Sequence, residues 1–535
     1  MNVEKNKYLF LCLILCLPLS VMYGQKTSKQ PTTVSIEIPD NPVPIDPMIY
    51  GQMLEDCNDK IIYGGLINGD GTENSKVNEL LKPLDMPVMR WPGGTYVHEY
   101  DWKKGIGPKD ERPVVEEFAW KGVETHQFGT DEFLQWCKKI GTEPYINFNM
   151  GNDPVYGGSL GDALSWIEYV NGSTETTFGK KRAFNGQEEP YGVKYWGIGN
   201  ENYGPWGRHT TETAQQYAER LHRWASAIHF QYPDLQLLGV GHIYQWNDTV
   251  LHRNGDLIDF LTKHFYMTAK VNGGKLQNPE YTLFSPAKVE IHLRKNIELL
   301  NEVNQHFNRV DRPIRYSIDE WNCRHSVFAG EKYQFTRNDA RRQFDVVTIA
   351  GMLNVFIRQS PFIGMANYIF PVNGHGLVRT IDEQEAYKTS IYYIFELYRK
   401  YMVGNKLNLE IKGGAITLPV KALAVEGAIS KELNRGDIKL NYIDGTAVMT
   451  EEGVIHIVLI NRSHDKNQKV NIKVPDGYLP VTMWKIENDD INAANSENER
   501  ENISPQMVNL SRKFLNSAVT ISPCEFIMVR YEKNK

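Results

Sequence analysis

Between Met48 and Met402 short apolar runs alternate with amphipathic segments of helix length, and this alternation constrains the fold more than any other feature of the chain. A strand buried on both faces reads as a continuous apolar run, whereas a covering helix repeats its apolar residues every three or four positions. Repetition of the two in that order requires parallel neighbours joined by helical crossovers. Eight runs qualify as strands, at 49–54, 86–90, 144–149, 193–199, 235–241, 257–264, 314–319 and 365–369. Eight such units favour closure, so the expected fold class is α/β, a (β/α)8 TIM barrel over residues 46–402.

The helices between these runs carry their own punctuation. Thr130 to Gly141 has an N-cap candidate in Thr130, acids in its first turn, lysines in its last and a terminal glycine. Thr211 to Tyr232, Pro286 to Phe307 and Asn338 to Arg358 repeat the pattern at greater length. After Tyr401 the texture changes to short runs at 415–424, 438–442, 454–461, 470–474, 479–486 and 518–531, without a long helix between them. Residues 403–535 are therefore expected to form an antiparallel, jelly-roll-like β-sandwich of structural role, with an added strand at Thr33–Ile38 from residues 25–45. The polar stretch Asn488 to Asn502 reads as an exposed loop.

Residues 1–24 have the form of a secretory signal: a polar, basic start through Lys7, an apolar run from Tyr8 to Val21, and Gly24 ahead of Gln25. The run is shorter than the about 20 residues a spanning helix needs. An exported protein, periplasmic or extracellular and without a membrane span, is the expectation. Beyond the leader, Cys57, Cys137, Cys323 and Cys524 are scattered and lack Cys-x-x-Cys spacing, which suits buried thiols better than a disulfide scaffold or a zinc site. A net charge of −6 and the absence of basic runs interleaved with aromatics argue against nucleic acid as a partner. Among the eleven tryptophans, Trp91, Trp102, Trp120, Trp206 and Trp321 lie near glycine-rich loops, where flat apolar faces suit sugar rings, although a single Trp is more often a core residue.

Two of the expected strands end on an acid. Tyr195-Trp196-Gly197-Ile198-Gly199-Asn200-Glu201 and Ile314-Arg315-Tyr316-Ser317-Ile318-Asp319-Glu320 each place a glutamate at the carboxyl end of a strand, where parallel α/β folds keep their chemistry. Other Asn-Glu and Asp-Glu pairs, such as Asn78-Glu79 and Asp131-Glu132, fall in helix-like stretches and read as solvated. Paired catalytic carboxylates and ordinary strand-end ion pairs both remain compatible with this pattern. No phosphate loop, dinucleotide fingerprint, His-Glu-x-x-His motif or Gly-x-Ser-x-Gly elbow follows a strand.

The strand-end motifs Arg90-Trp91-Pro92-Gly93-Gly94-Thr95, Asn147-Phe148-Asn149, Gly199-Asn200-Glu201-Asn202-Tyr203-Gly204-Pro205-Trp206, His264-Phe265-Tyr266 and Asp319-Glu320-Trp321-Asn322 form an ordered set. Together with Gly105-Ile106-Gly107-Pro108 and Ala119-Trp120, they resemble the α-L-arabinofuranosidases of glycoside hydrolase family 51, over nearly the whole chain after the leader. The resemblance implies a retaining, exo-acting enzyme with Glu201 as acid/base and Glu320 as nucleophile, and with no cofactor or metal. It further implies Asn200 on the sugar's 2-hydroxyl, Arg90 and Tyr266 holding Glu320 ionised, and Glu55, Trp120 and His264 around the substrate. For Arg90 and Glu55 a structural ion pair is the competing reading, for Trp120 core packing, and for His264 an imidazole satisfied by backbone. Substrates would be arabinan, arabinoxylan, arabinogalactan or arabino-oligosaccharides, and relatives commonly assemble as trimers or hexamers. Thr95, and Asn322-Cys323-Arg324-His325 after the nucleophile motif, depart from the family pattern; the Thr95 departure leaves a β-xylosidase or an endo-β-glucanase open, and an inactive sugar-binding protein is a separate alternative.

Overall fold

Gly51–Met53, Val88–Trp91, Glu143–Phe148, Tyr195–Ile198, Gln236–Gly239, Phe260–Asn272, Arg315–Ala329 and Ile363–Tyr368 are the eight parallel strands of a closed barrel. The structure, a computed structural model, describes residues 31–534, so the leader assigned to residues 1–24 lies outside the described residues. Each strand pairs with the next, and the first pairs with the eighth through Gly51 and Asn367. Val88, Tyr145, Leu238, Phe260 and Met365, from five different strands, meet as one buried cluster, the layered filling expected inside a barrel of this size.

Each strand overlaps one of the apolar runs in the sequence, the first shortened because Ile49 and Tyr50 lie in a 3-10 turn and the sixth starting only at Phe260; the largest departures are at two carboxyl ends. The sixth and seventh continue past His264 and Asp319 to Asn272 and Ala329, paired with each other from Phe265–Trp321 to Val271–Val327. Each then takes an antiparallel partner, Lys275–Gln277 and Lys332–Thr336. Charged residues such as Lys270 and Arg324 interrupt the apolar pattern there, which is why the sequence reads as loop.

Helix Thr130–Ile140 ends as expected on Gly141, at φ 89°. Its cap is Gly129 rather than Thr130: the Glu132 carboxylate accepts the Gly129 N–H at 2.9 Å, and the Thr130 hydroxyl accepts the Trp166 indole N–H at 3.1 Å. Helix Gln343–Arg358 begins later than Asn338, and its residues Gln343 to Ile357 are all buried. It lies between the barrel and the C-terminal sheets.

Those sheets are a four-stranded one, ordered Asn408–Lys412, Thr32–Glu37, Gln468–Lys473, Val519–Ile521, and a seven-stranded one centred on Ile443–Met449, Ile455–Asn461 and Phe526–Lys533. Val34, Ile36, Ile457, Leu459 and Val470 belong to the cluster between them. The sandwich is not wholly antiparallel, because Thr32–Glu37 runs parallel to Gln468–Lys473. Two further expectations need correction. The 415–424 run stops as a strand at Pro419 and forms a separate hairpin with Asp437–Asn441. The 518–531 run breaks into Val519–Ile521 and Phe526–Lys533 around Cys524, at φ 51°. The 488–502 stretch is the exposed loop expected, with residues 497–502 exposed, but it is tied down at Asn495, which is buried and whose amide donates to Lys388 O and Ile503 O. Cys57, Cys137, Cys323 and Cys524 are buried thiols.

Candidate active site

Arg90, next to last in the second strand, is fully buried, and a guanidinium taken out of water requires acceptors on all sides. It finds them on two other strands: Glu320 Oε1 at 2.9 Å, Asn200 Oδ1 at 2.7 Å, and Asp319 Oδ2 at 3.3 Å from Nε. Asp319 also accepts the Tyr145 hydroxyl at 2.6 Å. One planar fork thus ties the end of the second strand to Asn200, just past the fourth, and to Asp319 and Glu320 of the seventh.

Glu320 receives Arg90 on one oxygen and the Tyr266 hydroxyl on the other, with His264 Nδ1 at 3.5 Å. Burial alone would raise its pKa. The charges of His264 and Arg90 and the Tyr266 hydrogen bond outweigh that effect and hold the carboxyl at about 2, hence ionised at neutral pH. The loop after the second strand must pass hard against this group. A Cβ on Gly94 would sit 2.5 Å from Glu320 Oε1, and one on Gly93, at φ +152°, 2.5 Å from Glu55 Cγ. The Pro-Gly-Gly sequence therefore answers a need for space at two carboxylates at once.

Glu201 follows the fourth strand in the left-handed region, at φ 45°, a conformation uncommon for a residue with a side chain and characteristic of sites that must aim one. Its Oε1 accepts the Tyr203 hydroxyl at 2.9 Å and faces His264 Nδ1 at 2.8 Å. Ligating atoms of Glu201, His264 and Glu320 all lie within 4.8 Å of one another. The imidazole between two carboxylates has its pKa raised: burial disfavours its charge, but Glu320 and the hydrogen bond to Glu201 prevail.

Glu55 stands just beyond the first strand and accepts the Tyr96 backbone N–H at 3.0 Å and the Trp120 indole N–H at 3.1 Å. Burial, and then the charge of Glu320, push its pKa up. Trp120 is half-buried, with the Arg337 guanidinium 4.4 Å from its ring centre. Trp206 is 43% exposed at the rim. Trp91, Trp102 and Trp321 do not offer flat faces to a ligand: they are buried against Phe133, Trp166 and Phe356, respectively.

Glu201, His264, Tyr266 and Trp120 line a cavity of about 630 Å3 at the carboxyl ends of the strands. Glu320, Arg90, Asn200 and Glu55 attach to it through the bonds above, so the eight site residues read from the sequence converge on one place. Tyr203, Asp319 and Arg337 were missed, although Asp319 and Tyr203 lie inside the motifs that drew attention to the glutamates. The cavity also reaches Glu426, Gly427 and Ile429, from the half of the chain assigned a purely structural role. A second group with ligating atoms within 4.8 Å, Cys323, His325 and Asp345, is internally satisfied. There His325 faces Asp339 and Asp345 at 2.7 and 2.9 Å, and Arg341 stands 3.4 Å from Asp345.

Comparison with known proteins agrees with the geometry. Residues 80–283 match the model of the α-L-arabinofuranosidase 1 domain, and residues 319–523 that of the α-L-arabinofuranosidase C-terminal domain. A probable α-L-arabinofuranosidase C of Aspergillus flavus is 33% identical over 481 residues, covering 85% of this chain and 90% of that protein. An intracellular exo-α-L-arabinofuranosidase of Bacteroides ovatus is 28% identical, with 86% and 87% covered. Among solved structures, the thermostable family 51 α-L-arabinofuranosidase of Thermotoga petrophila superposes with a TM-score of 0.77 at 27% identity, covering 94% of this chain and all of that one. With both halves matched and the relationship to the Aspergillus protein running through most of its length, the chain belongs to the α-L-arabinofuranosidases of glycoside hydrolase family 51, and is a glycoside hydrolase.

Proposed function

We propose that the chain hydrolyses terminal α-L-arabinofuranosyl residues of arabinan, arabinoxylan or arabino-oligosaccharides by double displacement, with Glu320 as nucleophile and Glu201 as acid/base. The observation that carries this reading is the approach of the Glu201 and Glu320 carboxyls within 4.8 Å. Retaining glycosidases hold their carboxyls about 5–5.5 Å apart, whereas inverting ones leave about 6.5–9.5 Å for a water. Glu320, held ionised by Arg90 and Tyr266, attacks the anomeric carbon while Glu201 protonates the departing oxygen. The resulting ester has lost Glu320's charge, so Glu201 then takes a proton from the water that cleaves it. Asn200, its Oδ1 occupied by Arg90, keeps its amide N–H groups for the sugar's 2-hydroxyl, and Glu55 accepts from a ring hydroxyl. Release of arabinose from 4-nitrophenyl α-L-arabinofuranoside, followed by NMR at early times, should give the α anomer first. The β anomer as first product would overturn the mechanism, and activity on β-D-xyloside or β-D-glucoside alone would overturn the substrate. The apolar run at residues 8–21 supports export, which secretion of the full chain by a host cell would test.

His264 bears on pH. The forms His264⁺/Glu201⁻ and His264/Glu201-H contain the same number of protons, so the acid needed for the first step is reached by moving one proton along the 2.8 Å contact. Burial disfavours the His264 charge, but the charge of Glu320 and the hydrogen bond to Glu201 raise its pKa above the ordinary 6.5, so the imidazole keeps its proton past that pH and loses it only as pH rises through the raised value. The alkaline limb of kcat/KM should therefore lie above that pH and move down in His264→Asn. An unmoved limb in the variant would show that the imidazole does not share the acid's proton.

A further inference from the structure

The fifth strand ends at Gly239, opposite Leu261, while the sixth runs on to Asn272. Beyond Leu261 the outer edge of the sixth strand therefore has backbone groups that need partners. Residues 424–426, from the loop between strands Ala415–Pro419 and Asp437–Asn441, occupy that edge. The Thr268 N–H donates to Ala424 O at 2.8 Å, the Glu426 N–H donates to Tyr266 O at 3.0 Å, and Met267 pairs with Val425 between them. The C-terminal half of the chain is thus bonded directly to the strand that carries His264 and Tyr266.

Glu426 forms an ion pair with Arg324 of the seventh strand, and the Arg324 guanidinium carbon lies 3.3 Å from the centre of the Tyr266 ring. The Phe335 ring centre also lies 5.4 Å from the guanidinium. We propose that Arg324 is a positioning residue for the nucleophile: held by Glu426 and stacked on Tyr266, it fixes and strengthens the hydroxyl's hydrogen bond to Glu320. This rests on the reading of Glu320 as nucleophile.

The physical basis is twofold. A cation over a phenol ring is attracted to its π face and draws electron density from it, so the O–H becomes a better donor to a carboxylate. A ring clamped on its face also cannot swing its hydroxyl away, so Glu320 is located from both sides, by Arg90 on Oε1 and by Tyr266 on Oε2. As a folding element the ion pair counts for little, since its side chains are 28% and 40% exposed. Arg324 lies in the segment where this sequence departs from the family pattern, so the arrangement does not follow from the resemblance.

The test is a double-mutant cycle on full-length protein, with 4-nitrophenyl α-L-arabinofuranoside as substrate. Arg324→Gln should lower kcat about tenfold with KM unchanged. In a Tyr266→Phe background the same substitution should cost less than about twofold, because the hydroxyl it acts through is gone. Equal losses in the two backgrounds, or a loss confined to KM, would overturn the proposal. Should Arg324→Gln not fold, Glu426→Gln replaces it in the cycle under the same criteria. Glu320→Ala is assayed alongside. If it stays active, the nucleophile reading fails, whereas a dead Glu320→Ala with an additive cycle defeats the role of Arg324 alone.

Discussion

Glu320→Ala is expected to lower kcat on an aryl α-L-arabinofuranoside by about 10,000-fold or more, a barrier increase of at least about 5 kcal/mol. The estimate is large because nothing nearby can substitute for the lost oxygen. In the proposed mechanism Glu201 works on the leaving-group side, and Asp319 is engaged by Arg90 and Tyr145. The variant should nevertheless fold and bind, since Arg90 retains Asp319 and Asn200 as partners. Azide supplies a sharper readout than the loss itself. Entering the space vacated by the carboxylate, it attacks the face the nucleophile would have attacked and yields the β-arabinofuranosyl azide, of inverted configuration. A product of retained configuration would mean that Glu320 is not the nucleophile.

Glu201→Ala should behave differently in each half-reaction. The loss for an arabino-oligosaccharide, whose alkoxide leaves poorly without a proton, is expected to approach the upper end of the about 100- to 10,000-fold range of general acid catalysis. A 4-nitrophenolate needs little protonation, so with that substrate the first step survives, the ester accumulates, and a burst of nitrophenol precedes a slow steady state. Here azide attacks the ester from the leaving-group face and gives the α-arabinofuranosyl azide. Opposite azide products from the two variants would assign both carboxyls in one experiment. Equal losses on both substrates would remove Glu201 from the acid role.

The parts of this molecule that follow local rules were legible in its sequence. Eight apolar runs of strand length, with helical periods clear at four places between them, favour a closed parallel barrel, and the carboxyl end of a barrel strand is where an acid such as Glu201 or Glu320 can serve chemistry. What could not be read depends on pairing between distant segments. The extensions of the sixth and seventh strands have no apolar signature, because they are stabilised by each other and by flanking hairpins. The 424–426 segment sits on a strand edge that exists only because the fifth strand is short, a fact no window of sequence contains. The tryptophans illustrate the same limit. Proximity to glycine cannot distinguish Trp120, which reaches Glu55, from Trp91, which is packed against Phe133.

Strand Ile455–Asn461 is buried along its whole length, with Ile457 and Leu459 in the core between the two sheets and Val458 and Ile460 in the core that includes helix Gln343–Arg358. That helix keeps no polar face for water, because one side meets the barrel and the other meets this strand. The C-terminal half is thus the solvent substitute for a barrel helix, and not an appendage that could be traded between enzymes as a detachable module. A recombination joint placed between the two halves would have to rewrite the helix surface as well as the linker, and the catalytic half on its own would present an apolar flank to solvent.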